Sequence, residues 1–164
     1  MFHDDQHGTA VCVLAALTNA LTIVEKPIEE VRIAMSGAGA AGTAILDEAM
    51  LRSMNERAIV FALSNPVPEV DPEIAWKHAA VVATGRSDFA NQINNVLAFP
   101  GVFRGLIDAH ACEVTDEALL AAAQAIASVV SNEELSARHI VPSVFDERIT
   151  PAVARAVART GEPR

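Results

Sequence analysis

The sequence predicts an α/β protein in which a parallel sheet is flanked by helices, with a helical C-terminal part. Three observations predict it. Short apolar, β-branched runs alternate with Ala-rich helical stretches, the order that builds parallel strand–helix–strand units. A glycine-rich turn joins one such run to a helical stretch. Apolar residues make up 51% of the 164 residues while aromatics make up only 4% and Tyr is absent, so the core must come from Ala, Val, Ile and Leu, material suited to helices packed on a sheet. One domain spanning residues 1–164 is expected, since a compact chain of this length buries roughly 70% of its unfolded surface.

Residues 9–24 are apolar on nearly every side, with only Thr18, Asn19 and Thr22 intervening, and read as a helix buried on most faces. Lys26-Pro27 ends it. Residues 31–36 are a short strand closing on Gly37, and residues 38–54 have helical spacing. A second strand at 58–63 is stopped by Pro66 and Pro68. Asp71-Pro72-Glu73 then supplies an N-cap, a proline in the first turn and an acid beside it, opening a short helix through His78. Residues 80–83 are a third strand. Helices follow at 91–111, from a Thr115-Asp116-Glu117 cap to Val130, and from Thr150-Pro151, where Arg155 and Arg159 lie one turn apart. The three strands are expected to be parallel neighbours, with helix 9–24 packed across them. A short sheet leaves open edges that invite association, so a homo-oligomer is expected.

The formal net charge of −9 argues against a nucleic-acid partner, because phosphate-backbone affinity rests on Lys and Arg displacing counterions. Cys12 and Cys112 lie far apart in apolar surroundings without a CxxC motif, which fits reduced thiols in the cytoplasm. No signal-type segment precedes the first motif, and the longest unbroken apolar run, residues 10–17, is shorter than the ~20 residues of a membrane span. A soluble cytoplasmic chain without a membrane partner is the expectation.

Gly37-Ala38-Gly39-Ala40-Ala41-Gly42 matches G-x-G-x-x-G directly after a predicted strand and at the start of a predicted helix. The first glycine permits a tight turn, the second lets a pyrophosphate approach the backbone, and the third lets helix pack on strand. The helix N-terminus faces the negative charge. The predicted sheet is therefore Rossmann-like. A complete fingerprint places an acid about 20 residues on, at the end of the second strand, to hold the ribose. Asp47 and Glu48 come too early, inside the helix, and the next strand ends in Ser64-Asn65.

His3-Asp4-Asp5-Gln6-His7 packs metal- or proton-handling groups ahead of the long helix. The i, i+4 histidines resemble H-E-x-x-H, but Asp stands where that motif needs Glu, and Gly8 follows at once. The acids would also complement the positive end of the following helix, which leaves the flanking histidines unexplained. A third reading is hard-cation binding, since Mg²⁺ and Mn²⁺ typically take one or two carboxylates.

Five segments, FHDDQHGTA, GAGAAG, FALSNPVPEVDP, ATGRSDF and NQINNVLAFPGVFRG, occur in the order and form of the malic enzymes, and the chain resembles the bacterial type. The resemblance implies oxidative decarboxylation of malate to pyruvate and CO₂ with NAD or NADP and Mg²⁺ or Mn²⁺. It implies Asp5 as a metal ligand and Asp4 as the proton-network partner of a catalytic lysine. Gly37, Ala38, Gly39, Ala40 and Gly42 would cradle the dinucleotide phosphates, Asn65 and Asn94 would reach the cofactor, and Asn65 and Asn95 would reach malate. Arg86 and Asp88 read as a structural pair or surface charges and receive no role.

The departures from the family carry equal weight. The resemblance implies a catalytic Tyr and Lys and further metal ligands from an N-terminal domain, yet this chain has no Tyr, and Lys26 and Lys77 match no catalytic position. Near Leu46-Asp47 the helix after GAGAAG runs directly into residues that in the family lie much further on. The expected sheet is thus internally truncated, having lost the strand and the acid that contact the ribose. The chain alone is expected to be inactive. The alternative is a non-catalytic remnant acting as a nucleotide-binding or oligomerisation module.

Overall fold

The computed structural model describes residues 3–33 and 48–161, except the side chains of Asp4, Asp5 and Glu48. A single π-helical turn, Asp4–Gly8, leads straight into helix α1, Thr9–Val24. The polar residues within α1 do not interrupt it. The Thr18 hydroxyl donates to the Leu14 carbonyl at 2.8 Å and that of Thr22 to the Thr18 carbonyl at 3.3 Å, so both fold back on the preceding turn. Glu25 closes the helix in the left-handed conformation at φ 52°, its amide donating to the Leu21 and Thr22 carbonyls. The continuous helical stretch Gln6–Val24, 19 residues of hydropathy 1.6, is thus longer than the unbroken apolar run, and it reaches the length and composition of a membrane span. Half of that stretch is buried inside this protein.

Two parallel strands pair among the described residues, β1 (Ala58–Ala62) and β2 (Ala79–Thr84), with an irregularity at Ala58/Ile59. Both lie where the apolar runs predict them. Their alternation divides the interior in two. Val60, Ala62 and Val82 meet Leu51 of α2 (Glu48–Arg52), Val70 and Ala75 of α3 (Pro72–Ala75) in a small cluster. Val81 and Ala83, flanked by Ile59 and Phe61, meet α1 in the larger one. The predicted cap of α3 forms, the Asp71 carboxylate accepting from the Glu73 amide at 2.8 Å, with Pro72 in the first turn.

Of the expected strand at 31–36 only residues 31–33 are described, and these do not pair with the sheet; Val31 and Ile33 line, with Ile59 and Phe61, a groove of about 430 Å³ beside β1. Residues 34–36 and the glycine motif, Gly37, Ala38, Gly39, Ala40 and Gly42, lie outside the described residues.

The expected helix at 91–111 is also corrected. Asn91 takes the left-handed conformation at φ 59°, Asn94 caps a 3₁₀ turn at Asn95–Leu97, and only Phe99–Asp108 is α-helical (α4), with Pro100 in its first turn. Proline lacks the N–H that a helix interior needs, so a helix containing it must begin there. Helix α5, Asp116–Val129, starts on the predicted cap, the Thr115 hydroxyl accepting from the Ala118 amide at 3.1 Å. Helix α6, Ile149–Thr160, completes the C-terminal layer and packs on both α4 and α5, while α5 packs on α1.

Gly101 and Gly105, one turn apart on α4, let α6 approach closely. A Cβ at Gly101 would lie 2.4 Å from Val153 Cβ, and one at Gly105 would lie 2.6 Å from the Ala154 carbonyl oxygen. The second obstacle is backbone and cannot rotate away. Gly105→Ala is therefore expected to destabilise the fold by about 1–3 kcal/mol, the usual range for overpacking, read as a lower midpoint in urea denaturation. An unchanged midpoint would show that the two helices separate freely.

Candidate functional site

In an open parallel sheet the chain turns at the C-terminal strand ends form the crevice where ligands bind. Here β1 runs out into Ser64, Asn65 and Pro66, and β2 into residues 85–88. Between these turns lies a cleft of about 420 Å³, lined by Asn65, Pro66 and residues 85–88 together with Gln92 and Asn94. Asn65 and Asn94, 29 positions apart in sequence, thus share one cleft.

Each wall is held by named bonds. The Glu69 carboxylate accepts from the Ser64 amide at 3.1 Å and from the Ser64 hydroxyl at 2.7 Å, closing the loop that carries Asn65. On the other wall the Arg86 amide donates to the buried Thr84 hydroxyl at 3.1 Å. Its guanidinium donates to both Asp88 carboxylate oxygens, at 2.8 and 2.6 Å, and to the Pro66 carbonyl at 2.9 Å across the cleft. A Cβ at Gly85 would lie 3.0 Å from the Leu63 carbonyl oxygen, so a small residue lets the two turns approach. Hydrogen bonding from Arg86 holds the Asp88 carboxyl below its ordinary value, and the same contact raises the guanidinium. With a depressed carboxyl pKa the ion pair is complete above the ordinary carboxylate range and is lost only as pH falls through the lowered value.

The second group of predicted residues converges from the start of the chain. Asn94 does serve as a helix-start residue, its side-chain oxygen accepting from the Val96 amide at 3.0 Å. Its carbonyl accepts from the Cys12 thiol of α1 at 3.1 Å. A Cβ on Gly8 would fall 2.6 Å from the Phe99 ring and 3.1 Å from Asn95 Cβ, so only glycine lets the Asp4–Gly8 turn rest on the Asn95–Leu97 turn. The turn that carries the Asp4-Asp5 doublet thereby packs against the Asn95–Leu97 turn through Gly8; the two carboxylates themselves lie outside the described side chains. His7 serves the turn locally, Nδ1 lying 2.9 Å from both the amide nitrogen and the carbonyl oxygen of His3. Among the described residues no three His, Cys, Asp or Glu side chains come together as a metal site.

Comparison with known proteins settles the family. The family model for the malic enzyme NAD-binding domain matches residues 6–54 and 47–161. The chain belongs to the malic enzyme family. It is 39% identical to an NAD-dependent malic enzyme of Geobacillus stearothermophilus over an aligned span of 234 residues, covering all of this chain and 49% of that protein. It is 37% identical to a bifunctional malic/malolactic enzyme of Bacillus subtilis, covering 97% of the chain and 55% of the relative. A crystal structure of malic enzyme from Pyrococcus horikoshii superposes with a TM-score of 0.90 at 37% identity, over 98% of this chain and 54% of that one. The chain therefore spans about half the length of the malic enzymes it matches. The family match breaks into two segments that meet at residues 47–54, and the aligned span exceeds the chain's 164 residues. The break in the match falls at the junction expected near Leu46-Asp47, and the longer aligned span shows that the relative carries residues this chain does not.

Arg86 and Asp88, given no role by the sequence reading, form one wall of the cleft. The signal for them was their position at the end of a predicted strand, where the turn carries charge rather than the usual small residues. Cys12 was read only as a reduced thiol. Burial pushes that thiol up to about 12, against a smaller opposing effect of the Ala98 amide, so it stays protonated and donates to Asn94. Cys112 is exposed. In the folded protein a thiol reagent is expected to label Cys112 alone, with Cys12 reacting only after denaturation. Rapid labelling of both, read by mass spectrometry, would mean that the contact between α1 and Asn94 opens readily.

Proposed function

We propose that this chain is the part of a malic enzyme that receives malate and the nicotinamide end of NAD or NADP, for oxidative decarboxylation to pyruvate and CO₂. The observation that carries the reading is the meeting of Asn65 and Asn94 in one cleft at the C-terminal ends of β1 and β2, beside the Asp4–Gly8 turn. A side-chain amide offers both a donor and an acceptor, which suits a nicotinamide carboxamide as well as the hydroxyl and carboxylates of malate. Asn65 would face both ligands, Asn94 the cofactor and Asn95 the malate. Gly37, Ala38, Gly39, Ala40 and Gly42 would take the pyrophosphate.

Asp5 would contribute one ligand to Mg²⁺ or Mn²⁺, and Asp4 would hold the lysine that moves the proton. A divalent ion supplies Lewis-acid stabilisation of the oxygen on which charge develops. The described side chains do not complete its ligand set, so no step is assigned through it. The acid and base groups must also come from outside this chain. It contains no Tyr, Lys26 is engaged with the Glu56 carbonyl at 2.6 Å, and Lys77 lies beyond the end of α3. The groove beside β1, with Ile33 and Met54 exposed along it, supports self-association, and the chain would act in the cytoplasm.

General acid and base groups typically contribute ~10² to 10⁴ in rate each. The chain alone is expected to produce no reduced nicotinamide from malate and Mn²⁺. Reduced cofactor should nonetheless bind weakly, with little distinction between NADH and NADPH, because the ribose-contacting strand is absent. Asn65→Ala should weaken that binding about two- to tenfold, the loss of one neutral hydrogen bond. Titration by nicotinamide fluorescence measures both effects. Malate-dependent turnover abolished by Asp5→Ala, or tight binding selective for one cofactor, would overturn the proposal.

A further inference from the structure

We propose that Arg86 is a positioning residue that holds Asn65 in its ligand-facing place, an inference that rests on reading Asn65 as a ligand residue. The loop after β1 is anchored before Asn65 by the paired bonds from Ser64 to Glu69. After Asn65 comes Pro66, which has no N–H to give, so the next anchoring group on that side is its carbonyl. Arg86 takes that carbonyl from the opposite wall, at 2.9 Å. Asn65 is thus held between two fixed points, one within its own loop and one supplied by the turn after β2.

The guanidinium itself is oriented on three sides. Asp88 grips Nε and Nη2 with both carboxylate oxygens, leaving Nη1 directed at Pro66. The Phe89 ring lies 5.5 Å from the guanidinium carbon. The Arg86 amide is tied in turn to Thr84 at the end of β2. A planar fork with donors in fixed directions can bridge a carboxylate and a carbonyl at once, whereas a lysine ammonium is a point charge on a flexible stem. The side chain is 37% exposed, so this bracket spans the cleft mouth and is not part of the core.

The test is a double-mutant cycle on reduced-cofactor binding, using the whole chain and NADH as the probe. Arg86→Ala is expected to weaken binding about as much as Asn65→Ala, roughly two- to tenfold. Arg86→Lys should fail to restore it. The distinguishing outcome lies in the double variant: if Arg86 acts through Asn65, adding Arg86→Ala to Asn65→Ala brings no further loss. Additive losses would show that Arg86 meets the ligand itself or acts on stability, and undiminished binding in Arg86→Ala would show no role; either overturns the proposal. Absence of NADH binding in the parent chain, or an Asn65→Ala variant that binds normally, would refute the functional reading instead. In that case nitrogen-15 NMR of the free protein still decides the positioning claim. The Asn65 side-chain amide signals should shift and narrow in Arg86→Ala and in Arg86→Lys while Asn94 signals stay in place, and unchanged Asn65 signals would overturn it.

Discussion

The backbone of one residue, Ile140, ties the two halves of this fold together. The amide of Ile140, fully buried in the connection between α5 and α6, donates to the Asn91 side-chain oxygen at 2.9 Å, and its carbonyl accepts from the Asn19 side chain at 2.8 Å. Asn19 projects from α1 and Asn91 from the segment after β2. Asn19 Nδ2 donates also to the Ala127 carbonyl at 3.0 Å, and Asn91 Nδ2 donates to the Val82 and Ala137 carbonyls at 2.8 and 2.7 Å. A buried backbone group deprived of its partner loses roughly 1–3 kcal/mol, so truncating either asparagine would strand several groups together. The left-handed backbone at Asn91 fits this role, since Asn adopts that conformation more readily than most residues.

That clamp bears directly on the cleft. The segment from 85 to 94 forms one wall, and it is fixed at its far end by Asn91 inside the protein and at its near end by Arg86 across the opening. Helix α1 is the common support. Its Cys12 holds Asn94, its Asn19 holds Ile140, and the turn leading into it rests on Asn95 through Gly8. Position along the helix therefore decides function: the first turns face the site and the later ones face the C-terminal layer.

The strands at 58–62 and 79–84 and the caps at Asp71 and Thr115 were legible because each rests on a local signal. Alternation, prolines and capping side chains act over a few residues. The asparagines proposed for the site stand out only through resemblance, since an Asn-Pro turn or an Asn before a helix is common on local grounds. What local signals could not supply was long-range pairing. Asn19 reads as a polar interruption of an apolar helix, yet its partners lie more than 100 positions away. The break at 91–98 is hidden for the same reason: helical spacing persists through it, while the bonds that hold Asn91 out of the helix come from residues 82, 137 and 140. Arg86 shows a subtler gap. Its pairing with Asp88 was readable from spacing, but its reach to Pro66 depends on how two strands are placed side by side.

The contrast between what is local and what is distant also bears on how much of a malic enzyme half a chain can preserve. Among the described residues, the cleft walls are shaped by bonds from Ser64 to Glu69, Arg86 to Pro66, Cys12 to Asn94, and Asn91 to Ile140. The placement of Asn65 and Asn94 in one cleft follows from bonds made within this half of the fold. The geometry of the cleft is therefore set by the packing of α1, β1 and β2, whichever groups carry out the chemistry there.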